Sequence, residues 1–359
     1  MLYLCQPINI RKMKGILLVN LGSPDSTDVP DVKRYLDEFL MDKRVIDYNI
    51  IKRNLLIRGI ILRRRPPRTS EAYQKIWQVE GSPLIIISKK VSEKLQQITD
   101  LPVALGMRYG NPSIESGMQA LVNKGVTEIA IVPLYPHYAM SSTETVVAKA
   151  KQIQQAKFPN ITLHITNPFY NDKGYVQAMA DNIRKKLPAH FDKIVFSFHG
   201  IPERHFYRYG HGGITDLTTC SQSQDEHHNK YCYLYHAAES VRLLVGALNI
   251  PQEKVVQTFQ SRLGREKWVE PYTDVALETL PKQGVENVVI LCPAFVSDCL
   301  ETLEEIEMEG AHSFKENGGV NYTYIPCMND NDDWIAALKQ ICMDTFEKPY
   351  EVPMMIDKL

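Results

Sequence analysis

The chain has 359 residues, 44% of them hydrophobic and 23% charged, with a formal net charge of −1. That size suits two ordinary domains, and the near-neutral balance excludes binding to nucleic acid or to an anionic surface through overall charge. No apolar run reaches the ~20 residues of a membrane-spanning helix, so the expectation is a soluble globular protein.

The opening residues, MLYLCQPINIRKMK, lack a long apolar core and a small-residue cleavage site, so no signal peptide is read. Met13 directly precedes the first strand-like run, GILLVNLGSP (Gly15 to Pro24). NLLIRGIILRRRPPR (Asn54 to Arg68) mixes aliphatic residues with five arginines and ends in a proline pair. It reads as a surface helix whose cationic end runs into a loop. Three more strand-length runs follow: LPVALGMRYG (Leu101 to Gly110), GVTEIAIVPLYP (Gly125 to Pro136) and ITLHITNP (Ile161 to Pro168). A helical pattern, SIESGMQALVNKG, lies between the first two of these.

The second half repeats the order. KIVFSFHGIP (Lys193 to Pro202) matches GILLVNLGSP. VVQTFQSRLG (Val255 to Gly264), GVENVVILCPAF (Gly284 to Phe295) and VNYTYIPC (Val320 to Cys327) resemble the other three runs in turn. EPYTDVALETLPKQG again supplies a helical pattern after the second run. Strands alternating with helices imply parallel sheets covered on both faces. The fold class is therefore α/β, with two similar doubly wound, Rossmann-like halves related by internal duplication and facing each other across a cleft. The divisions expected are 13–170, with a pocket lip over about 36–80, then 171–330, then a helix and tail over 331–359. Ligands sit beyond the carboxyl ends of such strands, and no G-x-G-x-x-G follows a strand here, which speaks against a dinucleotide.

His199 stands at the carboxyl end of the first strand of the second half, where the first half has Leu21. A histidine there could be a core residue satisfied by backbone. A position that only needs filling takes leucine in one copy, so the asymmetry favours chemistry. CPAFVSDCLETLEEIEMEG (Cys292 to Gly310) then enters a helix that Ser297 or Asp298 could cap and Gly310 could end. Glu301, Glu305 and Glu309 fall on one helical face, four residues apart. The bland account is a solvated acidic face. Starting at a strand end beside His199, the row can instead hold a cation or pass protons. Glu304 and Glu307 are expected at the surface. A neutral imidazole facing carboxylates accepts protons near neutral pH or ligates a divalent first-row metal.

The seven cysteines, Cys5, Cys220, Cys232, Cys292, Cys299, Cys327 and Cys342, include no C-x-x-C pair. That argues against a disulfide framework and suits a reducing cytoplasm. Cys220 and Cys232 bracket His227 and His228, but TTCSQSQDEHHNKYC reads as a polar loop whose spacing fits no common zinc pattern. The stretch YRYGHGG, with His211, Gly212 and Gly213, reads as a loop.

From Gly15 to about Asn329 the sequence resembles the ferrochelatase family, which inserts ferrous iron into a porphyrin to form haem. The motifs NLGSP, EGSPL, GMRYGNP, FSFHGIP, FQSRLGREKWVEPYTD and DCLETLEEI carry the likeness, together and in order. The resemblance implies a chelatase-like duplicated α/β fold, His199 as catalytic residue, and Glu301 opposite it across the porphyrin. It implies Glu305 and Glu309 as an acidic path along an unusual helix, so that His199, Glu301, Glu305 and Glu309 form the metal-handling set. It implies Leu21, Ser82, Arg108, Tyr109 and Trp268 as porphyrin-binding positions, and it gives Cys299 no metal role. Fe²⁺ is then a substrate and no helper cofactor is required, since nothing is oxidised or reduced. Animal relatives hold an iron–sulfur cluster through one internal cysteine and a cysteine-rich tail. The internal position is Met140 here and the final DKL has no cysteine, so no cluster is expected. The partners implied are porphyrin and ferrous iron, without nucleic acid or an obligate protein partner. The lip adds an expectation of peripheral membrane contact for an otherwise cytoplasmic enzyme. The alternatives are a related cobalt or nickel chelatase and a non-catalytic haem or metal carrier. Protoporphyrin and coproporphyrin both fit as substrate.

Overall fold

The run KGILLVN forms strand β1 (Lys14–Asn20), buried at every residue but Lys14. It is apolar throughout because it is flanked on both edges by parallel neighbours and covered on both faces. With β2 (Val103–Met107), β3 (Glu128–Pro133) and β4 (Thr162–Ile165) it makes a four-stranded parallel sheet in the order β2-β1-β3-β4. The second half repeats that order as β6-β5-β7-β8, from β5 (Lys193–His199), β6 (Val255–Gln260), β7 (Asn287–Leu291) and β8 (Asn321–Ile325). The register repeats too. Ile16 lies opposite Val103 and Ala130, and its counterpart Ile194 lies opposite Val255 and Val289. The duplicated α/β architecture is thus present strand by strand. The computed structural model describes residues 12–208, 216–264 and 266–354. The loop expected at His211, Gly212 and Gly213, the residues before Lys12 and the final DKL lie outside them.

In the first half the helices are α1 (Val29–Leu40), α2 (Ile50–Leu56), α3 (Leu62–Ile76), α4 (Pro83–Ile98), α5 (Ile114–Asn123) and α6 (Thr145–Lys157). α7 (Lys173–Lys186) leads into the second half, which carries α8 (Arg204–Arg208), α9 (Leu217–Ser221), α10 (Glu226–Tyr231), α11 (Tyr233–Leu248), α12 (Thr273–Thr279) and α13 (Gly310–Glu316). The last helix, α14 (Asp332–Glu347), packs on α4 and α7, so the C-terminal segment joins the two halves. Its Trp334, Ile335, Leu338 and Ile341 enter the main core beside residues of both sheets.

Three local expectations are corrected. The proline pair does not end the lip helix: α2 passes through a π-wound segment, Ile57–Ile61, into α3, with Pro66 and Pro67 inside it. Each proline forgoes a backbone hydrogen bond, but Pro66 and Ser70 are buried on one face of α3, and Leu62, Tyr73 and Ile76 join a cluster with Val32, Tyr35 and Leu36 of α1. The acidic segment is not an α-helix closed by Gly310. Glu301–Glu309 is π-wound and runs on through Gly310 into α13. Asp298 does not cap it but anchors the preceding turn, accepting from Thr302 Oγ1 (3.0 Å), Tyr324 Oη (2.6 Å) and Asn329 Nδ2 (2.7 Å). Finally, TTCSQSQDEHHNKYC is not an open loop. Asp216 and Asp225 cap α9 and α10, accepting from Thr219 N (2.8 Å) and His227 N (2.9 Å), and Cys220, His228 and Cys232 are buried.

Candidate active site

β5 delivers His199 to the carboxyl edge of its sheet, and the next residue has to be small. A Cβ on Gly200 would lie 2.9 Å from the Gln260 carbonyl oxygen and 3.3 Å from the Trp268 ring, while Gly200 N donates to that same carbonyl at 2.8 Å. The duplicated site has the same logic, since a Cβ on Gly22 would collide with the Tyr109 carbonyl. His199 Nδ1 lies 2.6 Å from the Gly200 carbonyl oxygen. A carbonyl only accepts, so Nδ1 carries the proton and Nε2 keeps its lone pair for a proton or a metal. The His199 carbonyl accepts from Tyr233 Oη at 2.8 Å, which fixes the backbone beneath the ring.

Gln260 couples this histidine to the acidic segment. It pairs with His199 across β5 and β6, and its Nε2 donates to the Glu301 carbonyl at 3.2 Å. Ser197 Oγ donates to Gln260 Oε1 at 2.7 Å, locking the amide orientation. Burial, followed by the Glu301 charge, pushes the Cys299 thiol well up, so it stays protonated. The charge also reaches the first half. Burial first, then Glu301, raises Tyr73, and Glu301 acts likewise on buried Tyr35. Arg65 of α3 lies within electrostatic reach of Glu301 and Glu305. Glu301 therefore looks from the second half towards the lip and core of the first.

The ladder then runs outward. Glu305 accepts from Ser261 N (2.8 Å) and Ser261 Oγ (2.5 Å). Ser261 has φ +67°, a left-handed conformation a non-glycine residue adopts only when its surroundings enforce it. Burial, opposed by the Ser261 bonds and reinforced by Glu301 and Glu309, pushes the Glu305 carboxyl up to about 7. Glu309 is exposed, 3.7 Å from Lys75 Nζ. Glu307 is at the surface as expected, but Glu304 is not: it is buried and paired with Lys75 Nζ at 2.5 Å. The lip lysine, from the other half, is what covers it.

Of the remaining candidates, Leu21 packs with Tyr109, Tyr73, Leu300 and Leu303, the place where the halves meet. Arg108 stacks 4.2 Å from the Tyr109 ring, donates to the Thr145 carbonyl at 2.9 Å and pairs with Asp42. Tyr109 is fully buried with its hydroxyl 3.1 Å from Asp42, so it supports the wall from behind. Trp268 lies against Gly200 and donates to the Leu263 carbonyl at 3.1 Å. Ser82 is buried at the start of α4. Gln260 and Ser261 belong to the family-like stretch FQSRLG, yet nothing in the letters signals a left-handed serine. A cleft of about 270 Å³ opens elsewhere, on the first half, between Asp25, Asp31, Arg34, Glu38 and Lys149. Of the candidates it touches Arg108 alone, and its Arg34 is already paired with Asp25 and Asp31 at 2.8 Å each.

A buried ion pair ties the lip to the segment that follows His199. Asp47, 1% exposed, meets Arg204 and lies 3.6 Å from His205 Nε2. Burial alone would raise its pKa, but hydrogen bonds from His205 and Arg204 hold the carboxyl far below the carboxylate range. Asp47→Ala removes this buried acceptor, leaving Arg204 with Glu266 as its ion-pair partner and His205 without this carboxylate, and is expected to cost ~1–3 kcal/mol in urea unfolding at pH 7. Because the folded-state pKa is depressed, the contribution is complete above the unfolded pKa of ~3.9 and is lost as pH falls below it. The variant's deficit therefore shrinks in acid.

The ferrochelatase family model matches residues 13–345. The ferrochelatase of Pseudomonas fluorescens biotype C is 41% identical over 330 residues, covering 91% of this chain and 97% of that protein. That of Opitutus terrae is 43% identical over 330 residues, covering 90% and 95%. Among solved structures, SirB from Bacillus subtilis with Fe³⁺ superposes with a TM-score of 0.53 at 13% identity, over 93% of this chain and 95% of that one. The sirohydrochlorin chelatase SirB of Bacillus subtilis subspecies spizizenii in complex with cobalt gives 0.51 at 14%, over 94% and 97%. At such identities the structural likeness speaks to the fold alone. Sequence relatedness over nearly the whole length goes further, and by it this chain belongs to the ferrochelatase family.

Proposed function

We propose that this protein inserts ferrous iron into a porphyrin to form haem, with His199 taking up pyrrole protons and Glu301 handling the metal opposite. Family membership supports the reaction. The observation that supports the roles is the His199–Gln260–Glu301 link: Gln260 pairs with His199 across the strands and its amide donates to the Glu301 main-chain carbonyl, so one residue seats both the imidazole and the start of the acidic segment. Metallation exchanges both inner N–H protons for one Fe²⁺ at constant oxidation state. The protein has to bury a flat apolar ring, accept protons and release them. Apolar walls do the first. His199 Nε2 does the second. Glu305, with its pKa near 7, and exposed Glu309 form a graded route to solvent for the third, or for iron inward. No helper cofactor enters this scheme, and we assign no iron–sulfur cluster, since buried Met140 stands at the internal cluster position of animal relatives.

The test mixes protein, Fe²⁺ and either protoporphyrin or coproporphyrin without oxygen and follows loss of free-base fluorescence. Many turnovers per chain are expected. At most one equivalent would instead make the protein a carrier, and turnover with Co²⁺ or Ni²⁺ but not Fe²⁺ would make it a different chelatase.

The lip extends the reading to a membrane surface. Ile50, Ile51, Leu55 and Ile60 are 56%, 72%, 67% and 56% exposed, and Arg63 and Arg64 follow on the same helical run. Among the described residues no helix is long and apolar enough to cross a membrane. Aliphatic side chains beside arginines suit peripheral contact, each cation adding ~1 kcal/mol at an anionic surface. Flotation with phosphatidylserine vesicles is expected to retain the protein, and neutralising Arg63, Arg64 and Arg65 together is expected to weaken retention at least ~10-fold. Unchanged flotation removes the membrane role.

A further inference from the structure

Outside the cleft, Cys220, His228 and Cys232 each offer one ligand atom, all within 4.8 Å of one another, and all three residues are buried. We infer that they bind a single zinc-class divalent ion, at a site separate from the iron handled between His199 and Glu301. Zinc bonds of ~2.3 Å to sulfur and ~2.0–2.1 Å to nitrogen place tetrahedral ligand atoms within about 4 Å of each other. Side-chain adjustments of about 1 Å therefore close the site. Two thiolates and a neutral imidazole cancel the charge of a dication, which makes the bound set neutral in a buried place. The donors also differ in kind from those of the cleft. Sulfur and nitrogen select a borderline-soft ion, whereas the oxygen-rich ladder suits a harder one.

The surroundings fit a thiolate site. The Cys220 and Cys232 sulfurs lie within 4.8 Å of each other, so they already converge. Cys232 caps the 16-residue helix α11, and its Sγ accepts from Tyr235 N at 3.4 Å. An N–H donor and a helix N-terminus both favour sulfur in its anionic form. The bound ion fastens α9 and α10 to the head of α11. The next residue, Tyr233, donates to the His199 carbonyl at 2.8 Å. The ion thus steadies the backbone seat of the catalytic histidine without touching substrate.

The experiment strips the reduced, full-length protein with a chelator and titrates it with Co²⁺. One equivalent is expected to bind with near-ultraviolet thiolate-to-cobalt absorption and tetrahedral visible bands, which Zn²⁺ then bleaches. Cys220→Ser and Cys232→Ser are each expected to abolish these bands. His228→Ala is expected to weaken binding at least ~10-fold. Cys299→Ser, which removes the thiol beside Glu301, is expected to leave the bands intact. The inference is overturned if the unmutated reduced protein shows no thiolate absorption, if the bands disappear in Cys299→Ser, or if the isolated protein carries acid-labile sulfide. None of these readouts depends on porphyrin metallation, so failure here leaves the proposed function standing, and the reverse holds.

Discussion

His199→Ala is expected to lower porphyrin metallation by about 10²–10⁴-fold, the usual contribution of a positioned acid or base, with the fold unchanged. The side chain's hydrogen bond is to its own neighbour, Gly200, and its ring lies 6.4 Å from that of Phe295. Truncation therefore spares the pairing of β5 with β6, which uses backbone alone. His199→Asn sharpens the test. Its amide can still donate to the Gly200 carbonyl but offers no basic nitrogen, so it should be as slow as the alanine variant. Added imidazole should restore part of the His199→Ala rate and none of the rate of a variant lost through misfolding. The measurement is initial rate against porphyrin and Fe²⁺ without oxygen, with thermal unfolding as control. Near-normal turnover in either variant removes His199 from the proton-accepting role and leaves it a packing residue.

How much of this site was readable depended on whether the determinant was local. The duplicated sheets were legible because each central strand is buried on both faces and so appears as an unbroken apolar run. Comparing the two copies then isolated His199 against Leu21, and Gly200 follows from the backbone crowding at that turn. The acidic row was legible as a row, since a repeat every four residues stays on one side of an α-helix and of a π-helix alike. For the same reason its winding was not, and Gly310 looked like a terminus although Glu301–Glu309 runs straight into α13. Glu304 looked exposed because its partner, Lys75, is 229 residues away in sequence. The helix through Pro66 and Pro67 defies local rules because burial of Tyr73 and Ile76 against α1 outweighs the missing hydrogen bonds. Gln260 and Ser261 escaped notice because their roles arise from register and from a left-handed backbone, neither of which composition encodes.

Glu301→Gln should separate activity from stability. The amide keeps the size of the carboxylate and removes its charge, so metallation is expected to fall by about 10²–10⁴-fold, with the apparent KM for Fe²⁺ rising if Glu301 meets the metal. Stability should move the other way above neutral pH. Glu305 has its folded-state carboxyl raised to about 7, partly by Glu301, against ~4.3 in the unfolded chain. Between those values the folded state holds the extra proton, so stability falls as pH rises through the window, and the loss is complete above the folded value. Removing the Glu301 charge lowers the Glu305 pKa and recovers part of that loss, on the order of 1 kcal/mol for each tenfold drop in proton affinity. Urea unfolding should therefore find Glu301→Gln equal to the unmutated protein near pH 4 and more stable at pH 8. Glu305→Gln should remove the Glu305 share of the slope. A Glu301→Gln variant that is less stable at pH 8 would mean that the two carboxyl groups do not share a field. The ladder would then lose its claim to pass protons or metal between them.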